Sequence, residues 1–319
     1  MRAIPLLALL LSGWFAVPAH ADEAQDWLKR LGRAEQQQSF QGTFIYERNG
    51  SFSTHDIWHR VQDGHVSERL LKVDGSAQEI VRVDGHTQCV SGSLVADLGN
   101  SPGAPPPVLD PSILSSFYDL AVIGESRVAG RKAVIVALTP RDQNRYGVEL
   151  HLDRETSLPL KSLLLNDKRQ LLERFQFTRL NTAKVPDDVD LQPSTDCKPL
   201  DRASRDVSDV AATQAWHVEW VPPGFELTRS SARKHSKTGL VVDSLMYGDG
   251  LARFSVFLEP VGDVAGAEAR VQLGPTVAVS RRVVTPQGQI MATVVGEIPL
   301  GTAERIALSV RSAPAPVKP

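Results

Sequence analysis

His55-Asp56-Ile57-Trp58-His59 is the stretch that most invites a chemical reading. Two histidines four apart share a zinc ion when a helix stacks them one above the other. Here they fall in a run of β-forming residues between two turn signals. At about 3.3 Å per residue they stand roughly 13 Å apart, which bonds of about 2 Å to one metal do not span. The expectation is two histidines on one strand face and no metal site. No Gly-x-Ser-x-Gly elbow, phosphate-cradling glycine loop or Cys-x-x-Cys pair occurs. Ser, His and Asp stand at no local spacing that marks a catalytic triad. The residues point to a binding protein without a cofactor rather than to an enzyme.

Two other groups could bind. Arg229, Arg233, Lys234, His235 and Lys237 form a basic cluster at a strand end and loop, and Arg281-Arg282 could extend it. It fits either a solvated turn or a docking patch for phosphate groups or an acidic partner. Phe40, Phe44, Tyr46, Trp58, Phe175 and Phe177 fall on what alternation makes one inner face of a curved sheet. They either line a cavity for acyl chains or simply pack as a filled core. Lys and Arg number 35 against 37 Asp and Glu, a formal net charge of −2. That balance makes no general electrostatic case for nucleic acid.

The chain opens with Met1-Arg2, an apolar run from Ile4 to about Val17, and Ala19-His20-Ala21. A basic start, an apolar core and a small-x-small ending read as a secretory signal peptide cut after Ala21. The run is short of the about 20 residues a membrane span needs. No cysteine follows the cut, so no lipid anchor is expected there, and export sets an oxidising compartment. Cys89 and Cys197 are the two cysteines. They either pair, closing a long loop worth about 4–5 kcal/mol in the chain-entropy model, or stand as separate thiols.

The elements that must position these residues are mostly strands. Residues 22–37 read as an amphipathic helix with Ala24, Trp27, Leu28, Leu31 and Ala34 on one face. Alternation then predicts strands at 39–48, 54–61, 66–73 and 78–83, punctuated by Asn49-Gly50, Asp63-Gly64, Asp74-Gly75 and Asp84-Gly85. A stretch with five prolines, 102–111, precedes a short helix at 112–118. Strands resume at 120–128, 132–139, 146–153, 158–166 and 170–180. One curved antiparallel sheet, a half-open barrel with helices against it, satisfies this pattern. Residues 181–213 have the composition of a polar linker. A second, smaller α+β unit spans 214–312, with strands at 226–230, 240–247, 252–259, 276–284 and 290–297. It closes in a helix that Thr302 can cap, and 313–319 form a frayed tail. The whole is mainly β, in two units at 22–180 and 214–312.

Several stretches resemble the MucB/RseB family: Phe40-Gln41-Gly42-Thr43-Phe44-Ile45-Tyr46, the run from Ser53 to Arg60, Tyr118-Asp119-Leu120 and Val128-Ala129-Gly130-Arg131. Leu152-Asp153-Arg154, Leu158-Pro159-Leu160-Lys161 and Leu172-Glu173-Arg174-Phe175 do so as well. The second unit adds Trp220-Val221-Pro222-Pro223-Gly224-Phe225, Tyr247-Gly248-Asp249-Gly250-Leu251 and Val295-Gly296-Glu297-Ile298-Pro299. The likeness runs in order through the chain after the leader. It implies a first domain similar to the lipoprotein carriers LolA and LolB. It also implies a soluble periplasmic negative regulator of an envelope-stress sigma factor (AlgU or RpoE). Such a regulator binds the periplasmic part of a membrane-spanning anti-sigma factor, MucA or RseA, and shields it from regulated proteolysis. Lipopolysaccharide would release it, with control of alginate production downstream, and a second copy of the chain is a further candidate partner. The alternative from the residues is a periplasmic lipid or lipoprotein carrier, which needs no second β unit.

Overall fold

The computed structural model describes residues 19–92, 109–199, 207–210, 216–235, 239–261, 267–285 and 288–312. Residues 1–18 of the leader, most of the proline-rich stretch, Lys237 and the tail lie outside them. Helix α1 (Ala19–Gln37) runs through the expected cut after Ala21. Its Ala24, Trp27, Leu28 and Leu31 are buried, as the helical spacing of apolar residues requires.

Eleven strands make the first sheet among the described residues: β1 (Phe40–Arg48), β2 (Ser51–Gln62), β3 (His65–Lys72), β4 (Gln78–Val83), β5 (His86–Val90), β6 (Tyr118–Val128), β7 (Arg131–Pro140), β8 (Gly147–Asp153), β9 (Pro159–Leu165), β10 (Leu171–Asn181) and β11 (Lys198–Pro199). Their order is β11-β5-β4-β3-β2-β1-β10-β9-β8-β7-β6. The β1–β10 pairing brings together strands far apart in the chain and joins two meanders into one surface. Among the described residues the ends, β6 and β11, do not pair, and the sheet does not close into a barrel. Asn49 and Gly50 both take positive φ, 52° and 72°, the geometry of a tight hairpin whose twist matches its strands. Helix α1 and the short helix α2 (Pro111–Leu114) pack on the β6–β8 half through Trp27, Leu28, Leu31 and Leu114. Asp110 caps α2 by accepting from the Ser112 amide at 2.9 Å. The short helix expected over 112–118 ends early, because Tyr118 already belongs to β6.

The second unit is a seven-stranded sheet in the order β12-β14-β15-β16-β19-β18-β17. Its strands are β12 (Val207–Val210), β14 (Glu226–His235), β15 (Val241–Gly248), β16 (Arg253–Pro260), β17 (Ala269–Leu273), β18 (Thr276–Thr285) and β19 (Gly288–Gly296); β13 (Trp216–Val218) pairs separately with β20 (Val310–Ser312). Its core joins Phe254, Val256, Val279 and Val294 to Ala303, Ile306 and Ala307 of helix α4 (Leu300–Leu308). Pro299, not Thr302, stands at the N-cap of α4. Thr302 lies inside the helix, buried, and its Oγ1 reaches Asn144 of the first unit at 3.3 Å.

The polar stretch expected as a linker is partly structured. Helix α3 (Asp188–Leu191) carries a capping box built from Asp187 and Asp190. Arg60 pairs with Asp188 at 2.7 Å, and Arg69 donates to the Asp190 carbonyl at 3.2 Å. The Ser194 amide and hydroxyl donate to the buried carboxylate of Glu79. Cys197 bonds to Cys89 with Cα atoms 5.5 Å apart, and β11 then pairs with β5. Residues 187–199 therefore form a strap across the first sheet. Strand β12 meanwhile pairs with β14 of the second sheet.

Candidate functional site at the junction of the two sheets

The inner face of the first sheet carries five of the six aromatics expected there. Phe40, Phe44 and Phe177 are buried, with Tyr46 and Phe175 packed against them. Phe44 lies 4.7 Å from Phe175, Phe175 5.1 Å from Phe177, and Phe40 6.1 Å from Phe177. Phe40 also stacks on His59 at 4.7 Å and Phe44 on His55 at 5.1 Å. The rings pack on one another and make this face an aromatic floor. Each offset pair contributes about 0.5–1.5 kcal/mol beyond area burial.

Trp58 is the exception, and the inner-face expectation for it is corrected. It sits opposite Gln41 and Arg69, one residue out of step with His59, which faces Phe40. With a side-chain period of two, one residue of offset moves a side chain to the other face. Trp58 therefore points outward and lies 5.1 Å from the Arg69 guanidinium.

The basic cluster is also divided. Arg229, Arg233 and Lys234 lie on β14, whereas Arg281 and Arg282 lie on β18, four strand spacings away. At about 4.8 Å per spacing that is roughly 19 Å, so the pair does not extend the cluster. Arg281 is bound instead to Glu268 at 3.0 Å.

The two units meet at a site that residue-by-residue reading missed. Arg145 and Asp249 form an ion pair at 2.7 Å with both side chains fully buried. Asp249 also accepts from the Tyr118 hydroxyl at 3.0 Å. Its other carboxylate oxygen accepts from the Leu251 and Ala252 amides, closing its own turn. Arg145 donates onward to the Pro223 carbonyl at 2.5 Å and to Asp142 at 3.1 Å. Its guanidinium lies 5.0–5.4 Å from the rings of Phe117, Tyr118 and Phe225. Each guanidinium nitrogen of Arg145 and each carboxylate oxygen of Asp249 has a partner, which is what makes a buried charge pair tolerable. Gly224 completes the fit. Its φ is +87°, and a Cβ there would lie 2.4 Å from the Phe117 ring.

A second row of contacts runs alongside. The Tyr146 hydroxyl donates to the Ile298 carbonyl at 3.0 Å. Arg48, at the tip of β1, binds Glu297 at 3.0 Å and also Thr276. Between the two rows lies a cavity of about 230 Å³ lined by Val148, Leu150, Leu164, Leu251, Glu173 and Glu297, among others. Burial pushes the Glu173 carboxyl above its usual range, although Tyr46 donates to it at 2.6 Å. Burial and the nearby Glu297 charge move the Tyr146 phenol up to about 12. Burial and the Asp249 charge hold Tyr118 protonated well above the ordinary tyrosine range. A mainly apolar chamber with two carboxylates at its rim, between two units, has the composition of a binding site.

Residues 23–195 match the model of the MucB/RseB N-terminal domain, and residues 210–311 that of the MucB/RseB C-terminal domain. The chain belongs to the MucB/RseB family. Over 313 residues it is 60% identical to the sigma factor AlgU regulatory protein MucB of Pseudomonas aeruginosa, covering 98% of both chains. Among solved structures, the complex of P. aeruginosa MucA and MucB is 59% identical with a TM-score of 0.82, over 92% of this chain and all of that one. A crystal structure of MucB is 56% identical with a TM-score of 0.67, over 92% of this chain and 98% of that one. The three stretches of the second unit that resemble the MucB/RseB family all reach the junction: Pro223 and Gly224, Asp249, and Glu297 with Ile298.

Proposed function

We propose that this protein is a periplasmic negative regulator of an envelope-stress sigma factor, acting by binding the periplasmic part of its anti-sigma factor. The observation that carries this is its 60% identity, along almost the whole chain, to a protein described as regulating the sigma factor AlgU and solved in complex with MucA. The leader read from residues 1–21 supports export to the periplasm. The inner face with its helices is consistent with a LolA/LolB-like domain, and the aromatic floor suits an acyl ligand such as that of lipopolysaccharide. The lower TM-score to the crystal structure of MucB than to the MucA complex supports a regulator with more than one arrangement. A ligand shifts such an equilibrium only by its differential affinity for the two arrangements. A coupling of about 1–3 kcal/mol changes partner affinity roughly 5–150-fold. Control of alginate production follows in the same pathway. The single-domain carrier reading leaves the clamped second sheet without a purpose.

The test is a binding titration of the full mature chain with the periplasmic part of the anti-sigma factor. Saturable binding, weakened by added lipopolysaccharide, is expected. Absence of binding overturns the regulatory reading, and binding indifferent to lipopolysaccharide removes the sensor role. Including Arg233→Glu with Lys234→Glu in the same titration tests the β14 basic patch, whose loss should weaken the complex.

A further inference from the structure

Trp58 and its neighbours on the outer face take no part in the aromatic floor or the junction. Asn181, Gln41 and Trp58 lie side by side on β10, β1 and β2, and Arg179, Thr43 and Asp56 form the next row. All of these but Thr43 border a hollow of about 220 Å³, which Gly42 and Ile57 also line. That is below the about 300–1,000 Å³ of drug-sized sites, and it suits one ring.

The polar groups of the hollow are arranged and partly unused. The Gln41 side-chain oxygen is sealed from solvent and has no hydrogen-bond partner. A buried acceptor left so costs free energy until a donor reaches it. Thr43 donates to one Asp56 oxygen at 2.6 Å, which leaves the other oxygen to accept. The Asn181 carbonyl oxygen accepts from the Ala183 and Lys184 amides, which turns its NH2 toward other partners. Arg179 adds an exposed guanidinium. The indole is held in place: Arg69 lies against it, and Arg69 is itself fixed by Glu79 at 2.6 Å and the Asp190 carbonyl.

We propose that this hollow is a saccharide subsite for one pyranose ring. A pyranose offers an apolar C–H face to an aromatic ring and hydroxyls that both donate and accept. The hollow supplies the complement: an indole plate, acceptors on Gln41 and Asp56, and donors on Asn181 and Arg179. Once the Gln41 side chain turns toward the hollow, a ring hydroxyl donating to its oxygen satisfies an acceptor that the fold leaves bare. Arg179 at the rim favours a sugar bearing a carboxylate. The site lies on the face opposite the aromatic floor and stands or falls independently of the regulatory reading.

The experiment is calorimetric titration of the full mature chain with chitotetraose, cellotetraose and tetragalacturonate. Binding of at least one is expected, with Trp58→Ala and Gln41→Leu each weakening it about tenfold. Trp58→Phe keeps a ring and retains part of the affinity, which separates loss of stacking from misfolding. Arg179→Ala weakens tetragalacturonate more than the neutral sugars. Competition by a glycolipid bearing the bound sugar assigns the natural source to a lipid headgroup, and its absence assigns free glycan. No binding of any of the three sugars overturns the proposal and leaves the Gln41 oxygen to an ordered water. Binding unchanged by Trp58→Ala overturns it as well.

Discussion

His55 and His151 tie the stability of the first sheet to pH. Burial pushes both below 6.5, for His55 against the pull of Asp74 and for His151 with Lys161 adding to it. His151 is held between the Ser126 hydroxyl at 2.7 Å and Glu149 at 3.0 Å, and His55 by Ser53 at 2.9 Å. Because their folded values lie below the unfolded one, the unfolded chain takes up protons first. Their contribution is complete above pH 6.5 and is lost as pH falls below it. Glu79 and Asp153, held low mainly by Ser194 and Arg131 against burial, lose theirs only below about 4.5 and 3.8. Urea midpoints of the mature chain should therefore fall between pH 7.5 and 5.5, less steeply in His55→Gln/His151→Gln. The same profile in the native chain and in the double variant counts against the burial argument, because the raised His65, Glu35 and Glu173 oppose the two histidines equally in both. The two-histidine stretch was legible as a strand because β-forming residues between two turn signals are a local mark. The face of Trp58 was not, since register is set by the partner strand.

Among elements, the strap over 187–199 departs most from expectation. Its Asp, Pro, Ser and Thr content has too little apolar area to build a core, which is why composition marks it as linker. The same side chains instead cap a helix and bind groups already on the sheet, Arg60, Arg69 and Glu79. The Cys89–Cys197 bond closes a loop of sequence separation 108. Loops of that length contribute up to about 4.7 kcal/mol, with about 2–5 kcal/mol typical of measured losses. Cys89→Ser with Cys197→Ser should lower the denaturant midpoint of the first unit and raise hydrogen exchange at Val90, beside β11. An unchanged midpoint would show that polar contacts alone hold the strap. Gly42 is a second case of position deciding identity: a Cβ there would lie 2.4 Å from the Arg179 carbonyl oxygen. It would also press on the Phe177 ring at 2.9 Å, so the close fit of the aromatic floor depends on that bare backbone.

At the scale of the molecule, two separate cores are joined by one buried charge pair and its surroundings. Breaking one partner of such a pair costs about 3–5 kcal/mol, since the other charge stays buried and uncompensated. Asp249→Asn keeps the oxygen that closes the local turn and removes the charge that Arg145 needs. It should separate calorimetric unfolding into two transitions and increase the radius of gyration, with each unit still folded. A single unchanged transition would mean that the remaining contacts, Tyr146 to Ile298 and Arg48 to Glu297, suffice.

Alternation, turn dipeptides and helical spacing are local, so the sequence by itself determined a mainly β chain in two units, the helix packed on the first sheet and the aromatic face. The motifs also marked the family. Tertiary structure alone decided which face Trp58 takes, how the strap docks and what Asp249 does. Asp249 in Gly248-Asp249-Gly250 looks like an ordinary turn residue, and half of it is: one oxygen closes the turn. The other meets Arg145, 104 positions earlier, and Tyr118, 131 earlier. A contact over that separation leaves no periodicity in the chain. It exists only once two sheets, each specified locally, are brought together and water is excluded between them.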